Sequence, residues 1–128
     1  MNIVLDTSVF IARETGRRLA ALPDEAATAI SVITVAELRL GVLVADDPVT
    51  RATRLATLEV ATRDHRPLPV DDQVADQFAR LVAQLRTAGR NPRVLDTLIA
   101  ATALAHDAAV ATQDDDFDGL PGLTVLKV

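Results

Sequence analysis

Four acidic residues are placed where they could act together: Asp6, Glu37, Asp96 and Asp114, the last opening the run Asp114-Asp115-Asp116-Phe117-Asp118. The chain has no cysteine and only two histidines, His65 and His106. A thiolate zinc site is therefore excluded and a histidine-built one disfavoured, so any metal here is a hard cation held by carboxylates. Four carboxylates drawn to one place make six repelling pairs. Each costs about 1–4 kcal/mol at ~4 Å for effective dielectrics of 80 to 20, against a total domain stability of about 5–15 kcal/mol. If the four converge, a divalent cation must lie between them, and an all-oxygen donor set selects Mg²⁺ or Mn²⁺.

Convergence depends on the elements that carry these acids. Ile3-Val4-Leu5 reads as a strand buried on both faces, and Thr28–Ile33, Arg66–Val70, Ala108–Thr112 and Leu123–Leu126 as four more, the third cut short by its two prolines. Helical spacing fills the gaps. Asp47 and Pro48 supply an N-cap and first residue for a helix with Leu55 and Leu58 on its inner side. Asp71 or Asp72 starts another, with Val74, Phe78, Leu81, Val82 and Leu85 on one face and Gly89 as its stop. Leu95–His106 is apolar nearly all round, as a buried helix must be. Strands alternating with helices give a three-layer α/β/α sandwich around a central, mainly parallel sheet, in one domain spanning residues 1–128.

Ligands bind such sheets at the carboxyl ends of the strands. Asp6 directly follows the first strand, Glu37 falls in the first turn of the helix after the second, and Asp114 follows the fourth. Asp96 joins them if the amino terminus of its helix faces the same edge. Each acid alone also has a plainer explanation. Asp6 can cap the next turn, and Thr34-Val35-Ala36-Glu37 fits a capping box. Asp96 can favour a helix start, and the Asp114 run can be a solvated loop.

These segments resemble the PIN domain, in its VapC-type toxin branch. Ile3-Val4-Leu5-Asp6-Thr7-Ser8-Val9 matches that family's opening strand and Asp-[ST]-[ST] turn. Thr34-Val35-Ala36-Glu37-Leu38 with Gly41 matches its second motif, Asp96-Thr97-Leu98-Ile99-Ala100-Ala101-Thr102-Ala103 its third, and Thr112-Gln113-Asp114-Asp115-Asp116-Phe117 its last. Many members carry one residue more in that last motif, so Asp114 is the first choice for the ligand and Asp116 the second. The resemblance implies an endoribonuclease toxin that hydrolyses RNA phosphodiester bonds with Mg²⁺ (Mn²⁺ as a substitute). It further implies a cognate antitoxin as partner and a homodimer. Asp6, Asp96 and Asp114 would hold the metal, and Glu37 would bind the same or a second ion or orient water. Thr7, Ser8 and Thr112 would support the carboxylates by hydrogen bonds, although caps and strand ends explain them equally well. Arg93, Arg90 and Arg86 precede Asp96 and could reach a phosphate, as could Arg13 and Arg39.

Composition sets outer bounds. Thirteen basic against eighteen acidic residues leave −5, which argues against binding nucleic acid by bulk charge. Three Phe with no Tyr or Trp rule out an aromatic platform for single strands. No apolar run reaches 18 residues and the amino terminus lacks the basic start of a signal peptide, so a protein of a reducing cytoplasm, away from membranes, is expected. Two rival readings are a receiver-type Mg²⁺-binding phosphotransfer domain and a non-catalytic PIN-like binding module. The first needs an acidic pair after strand one, where Asp6 stands alone, and a lysine after a late strand, where Lys127 lies at the very terminus. The second should have lost an acid, and all four are present.

Overall fold

The computed structural model describes residues 1–128. Its elements run β1 (Asn2–Leu5), α1 (Thr7–Glu14), β2 (Ala27–Ser31), α2 (Val32–Leu43), α3 (Pro48–Asp64), β3 (Arg66–Leu68), α4 (Asp72–Thr87), α5 (Val94–Ala105), β4 (Ala109–Thr112) and β5 (Val125–Lys127). The sheet order is β3-β2-β1-β4-β5 and every pairing is parallel, so the expected mainly parallel sheet is wholly so.

Alternation along the strands divides the core in two. Ile3, Leu5, Ile30 and Ala111 point to one face, where Phe10, Leu38, Leu58 and Ala61 of α1, α2 and α3 cover them. Val4 and Val110 point to the other, packed by Leu81, Leu85, Ile99, Ala100 and Ala103 of α4 and α5 together with Phe117 and Leu120. Asp71 caps α4 by accepting from Val74 N at 3.0 Å. The helix stops at Gly89, whose φ of +72° suits a residue without Cβ. There Arg90 N donates to Leu85 O and Gly89 N to Arg86 O, closing the end as a Schellman motif.

Several boundaries differ from those the sequence suggests. The β-branched run after Ile30 reads as a continuing strand, but β2 stops at Ser31. The Ser31 hydroxyl accepts from Ile33 N at 3.0 Å and starts α2 there. Thr34 is therefore inside the helix rather than its cap, and Glu37 lies in the second turn instead of the first. Helix α1 is an element that sequence spacing does not announce, because Thr7, Ser8 and Val9 are weak helix formers. Leu55, expected inward, is largely exposed, since α3 packs through Leu58 and Ala61. β3 ends before Pro69, and β5 starts two residues later than expected.

Candidate functional site

The chain builds outward from β1 to β2 and β3, then returns to place β4 on the other side of β1. β1 and β4 are thus adjacent strands whose following connections part to opposite sides, the point in an open parallel sheet where a crevice forms. Asp6 ends β1 and its backbone N–H donates to Ala111 O of β4 at 2.9 Å. Its side chain is 3% exposed. Ser8 Oγ (2.7 Å), Thr112 Oγ1 (2.9 Å) and, at a long 3.4 Å, Ser8 N all donate to the same oxygen, Oδ2. Oδ1 is left as the oxygen free of protein donors. Asp6 is therefore both the α1 N-cap and a carboxylate held in fixed orientation.

The same two hydroxyls tie down the loop after β4. Ser8 Oγ accepts from Gln113 N at 3.0 Å, and Thr112 Oγ1 from Asp114 N at 3.0 Å. Phe117, fully buried among the α4 and α5 side chains, anchors that loop from below. Across the crevice Thr7 Oγ1 lies 2.7 Å from Glu37 Oε1 and 3.1 Å from Thr34 Oγ1. One hydroxyl has one proton. The charged oxygen is the stronger acceptor, so Thr7 donates to Glu37, and the buried Thr34 oxygen beside it is the weaker alternative acceptor. Asp96 sits in the first turn of α5, whose amino terminus faces the same edge.

Mutual repulsion shows that these acids share one field. Burial pushes the Asp96 carboxyl up to about 6, helped by the charges of Asp6, Asp116 and Glu37 and opposed by Arg93. Burial also raises Glu37, with the Thr7 hydrogen bond acting against it and Asp6 and Asp114 adding to it. Asp114 is raised by burial, then by Asp6 and Asp116, while Lys127 and Arg17 pull it down. All four expected acids, and Asp116 with them, thus lie toward the carboxyl edge of β1 and β4, near enough for their charges to act on one another.

They do not form a finished cage: no three of them stand so arranged as to hold an ion where they are. The donor chemistry nonetheless fits a hard cation, with only carboxylates gathered at the edge, Asp6 Oδ1 unengaged, and three of the acids pushed toward neutrality by burial first and further by their neighbours' charges. Part of their charge is met by one arginine. Arg93 Nη1 stands 3.1 Å from Asp116 Oδ1, and Nε 3.6 Å from Asp96 Oδ2.

The other basic residues are placed differently. Arg90 donates to Gly119 O at 3.1 Å, beside the crevice rather than in it. Arg13 lies over the Phe10 ring, 5.7 Å from its centroid, on the groove between α1 and α3 and apart from the acids. Lys127 pairs with Asp115 and Asp118 and donates to Asp114 O, holding the acidic loop against β5. The sequence motifs include Thr34 and Phe117 but do not reveal that Thr34 stands against Thr7 or that Phe117 anchors the loop. Only Phe117 carried a signal of its role, as the one aromatic residue in the acidic run. His65 bonds Thr28 Oγ1 through Nδ1 at 3.0 Å and packs edge-on against Phe10, far from this chemistry. His106 is the C-cap residue of α5.

Comparison with known proteins identifies the fold and its family. The PIN-domain pattern matches residues 3–123. Ribonuclease VapC5 of Mycobacterium tuberculosis is 50% identical over 127 residues, covering 98% of this chain and 92% of the relative. Ribonuclease VapC4 of the same organism is 43% identical over 134 residues, covering all of both chains. Among solved structures, VapBC-5 of M. tuberculosis, a member of the VapBC family of toxin-antitoxin systems, superposes with a TM-score of 0.81 at 44% identity. It covers 99% of this chain and 98% of that one. FitAcB of Neisseria gonorrhoeae superposes with a TM-score of 0.79 at 31% identity, covering 98% and 96%. With its sheet order, its acidic crevice and these relatives over its whole length, the chain belongs to the PIN-domain family, in the VapC branch.

Proposed function

We propose that this protein is a Mg²⁺-dependent endoribonuclease toxin, also competent with Mn²⁺, that hydrolyses RNA phosphodiester bonds and is silenced by a cognate antitoxin. The observation that carries this reading is that Asp6, Glu37, Asp96 and Asp114 lie together toward the β1–β4 crevice, three of them with raised affinity for protons. Crowded carboxylates of that kind are the counterpart of a bound divalent cation. The naming of full-length relatives as ribonucleases supports the substrate class.

In this reading Asp6, Asp96 and Asp114 hold the metal, with Asp116 the alternative to Asp114. When bound, the ion would polarise the phosphate and lower the pKa of an attacking water. The chain's own residues do the rest. Ser8 and Thr112 fix Asp6 Oδ2 and leave Oδ1 without a protein donor. Thr7 holds Glu37 with one oxygen engaged and the other able to orient a water or take its proton. Phe117 and Lys127 keep the Asp114–Asp116 loop pressed to the sheet.

A protein partner is supported by the surface and by the relatives. Leu40, Leu43, Val44 and Val49, where α2 gives way to α3, are 59–77% exposed, a concentration that marks an interaction face. VapBC-5 is a member of the VapBC family of toxin–antitoxin systems, and we extend to this chain a cognate antitoxin and a homodimer. No helix is long and apolar enough to cross a membrane, in keeping with action in the cytoplasm.

The test is incubation of purified, partner-free protein with total RNA in Mg²⁺ or Mn²⁺, with EDTA and an Asp96→Asn protein as controls. Discrete fragments that vanish in both controls are expected, as is their loss on adding the antitoxin. Cleavage that survives Asp96→Asn would overturn the assignment.

A further inference from the structure

Arg93 is the one cation whose side chain pairs with carboxylate groups of the crevice acids, Asp96 and Asp116. It is the residue before α5, and its backbone carbonyl accepts from Thr97 N at 2.9 Å and Thr97 Oγ1 at 2.6 Å. Its side chain takes no part in capping the helix and is 72% exposed. From there it reaches two acids on different elements, Asp96 on α5 and Asp116 on the loop after β4. A guanidinium spanning two carboxylates meets the same need as a metal ion, since both offset repulsion that the fold imposes. It is also a weak tie: exposed ion pairs contribute about 0.2–1 kcal/mol, which a divalent charge readily outcompetes.

Beside this bridge lies a cleft of about 260 Å³ with Arg93, Asp96, Asp115 and Asp116 on its wall and Arg90 and Asn91 around it, the Asp115 charge being met by Lys127. Arg90 is already turned toward the far rim by its bond to Gly119 O. A guanidinium released from Asp96 and Asp116 would stay within this cleft, next to Asn91 and on the same side as Arg90. Such donors suit a phosphate group, which arginine grips through its planar fork.

Building on the ribonuclease reading above, we propose that Arg93 is an exchangeable counter-cation. It holds Asp96 and Asp116 while the metal is absent, yields them to the divalent ion, and then offers its guanidinium to an RNA phosphate in the adjoining cleft. The order of events follows from charge. Before the ion arrives, the crevice repels RNA and Arg93 is occupied. Afterwards the acids are neutralised and one arginine is released at the place where the next phosphate of the strand must lie. Arg93 is thus a positioning residue whose availability depends on the metal.

The experiment compares the full chain with Arg93→Met and Arg93→Lys, and with Arg80→Met as a remote control, since Arg80 pairs only with Asp76 on exposed α4. Mn²⁺ affinity by titration calorimetry is expected to rise about 1.4- to 5-fold in Arg93→Met, the size of one exposed ion pair removed from competition. Binding of a short single-stranded RNA in Ca²⁺, followed by fluorescence anisotropy across a salt series, is expected to weaken. Its log–log salt slope should fall by about 0.7, one phosphate contact. Arg93→Lys should restore much of that slope, and Arg80→Met should change neither quantity. Unchanged or weaker Mn²⁺ binding in Arg93→Met overturns the exchange, as does a parent that binds no Mn²⁺. An unchanged salt slope overturns the phosphate role. If Mn²⁺ binding tightens as expected but the parent cuts no RNA, the ribonuclease reading fails while the exchange stands.

Discussion

Replacing Asp96 with Asn should stabilise the metal-free protein, because the fold compresses like charges it does not need for folding. Asp96 is raised from 3.8 to about 6, chiefly by burial and the charge of Asp6. At about 1.4 kcal/mol per pH unit, that rise is equivalent to about 3 kcal/mol of destabilisation once the carboxyl is ionised. The side chain is still 23% exposed, so screening leaves about half of that, or roughly 1.5 kcal/mol. Asn gives back about 0.3 kcal/mol as a weaker partner for the α5 dipole. The net gain of about 1 kcal/mol is worth about 3–4 °C in Tm for a chain of this length. The direction with pH follows from the raised value. The folded protein binds the Asp96 proton more tightly than the unfolded chain, so this contribution to stability is complete below pH 3.8 and is lost as pH rises through about 6. Calorimetric scans in EDTA should therefore show Asp96→Asn melting above the parent at pH 7.5 and level with it near pH 3.5. Adding Mg²⁺ should raise the parent and leave the variant behind. A variant melting several degrees below the parent at pH 7.5 in EDTA would refute the reasoning, and would mean that the Asp96–Arg93 pair supports the fold.

Mn²⁺ affinity of the parent should fall as pH drops below about 6, because Asp96 must shed its proton to bind; calorimetric titrations at pH 5 and 7.5 check this. Thr7→Val removes the 2.7 Å hydrogen bond that pulls the Glu37 carboxyl down. The Glu37 pKa should rise further by carboxyl-carbon NMR, and RNA cleavage should drop about 10-fold or more, the usual scale for losing a support of this kind. Phe117→Ala empties a fully buried site under the Asp114–Asp116 loop. It should cost about 3–5 kcal/mol in denaturant unfolding, and at temperatures where the variant still folds it should weaken Mn²⁺ binding as well. Asp6→Asn keeps an oxygen for the Ser8 and Thr112 hydroxyls and should hold the parent's stability. Asp6→Ala loses the α1 cap and leaves both hydroxyls without their acceptor, so its stability should fall by about 1–2 kcal/mol for the cap alone, read as a lower Tm.

The acids were legible in the sequence for a simple reason: parallel topology puts every strand's end at one edge, so a residue's position just after a strand is already a position in space. Asp6 and Asp114 follow their strands directly, and their placement survives errors of one or two residues in strand boundaries. Glu37 survives too, although its helix begins at Val32 and not near Thr34, because the second turn of α2 still overlooks the crevice. What spacing could not show is direction. Ser31-Val32-Ile33-Thr34-Val35 has the β-branched content of a strand, and only the Ser31 cap in the folded chain decides that it bends into a helix. Helix α1 was hidden in the same way, its start fixed by Asp6 and its burial by Val9 and Phe10 rather than by propensity. Nor could any pattern show that Arg93 turns back to Asp116, 23 residues on, while Arg13 turns away to Phe10.

The two kinds of support around the crevice differ in what they allow. Asp6 is held by neutral hydroxyls on a buried oxygen, which fix its geometry without cancelling its charge, so its affinity for a cation is preserved. Asp96 and Asp116 are held by a charged, exposed side chain, which lowers their repulsion but must leave if they are to bind anything else. A buried arginine in the same place would have blocked the site, because removing a partner from a buried ion pair costs about 3–5 kcal/mol. An exposed one leaves the acids both tolerable without metal and open to it. The fold therefore places its permanent constraints on the sheet side of the crevice, at Thr7, Ser8 and Thr112. Its replaceable one stands on the solvent side, where an ion and a strand of RNA would arrive.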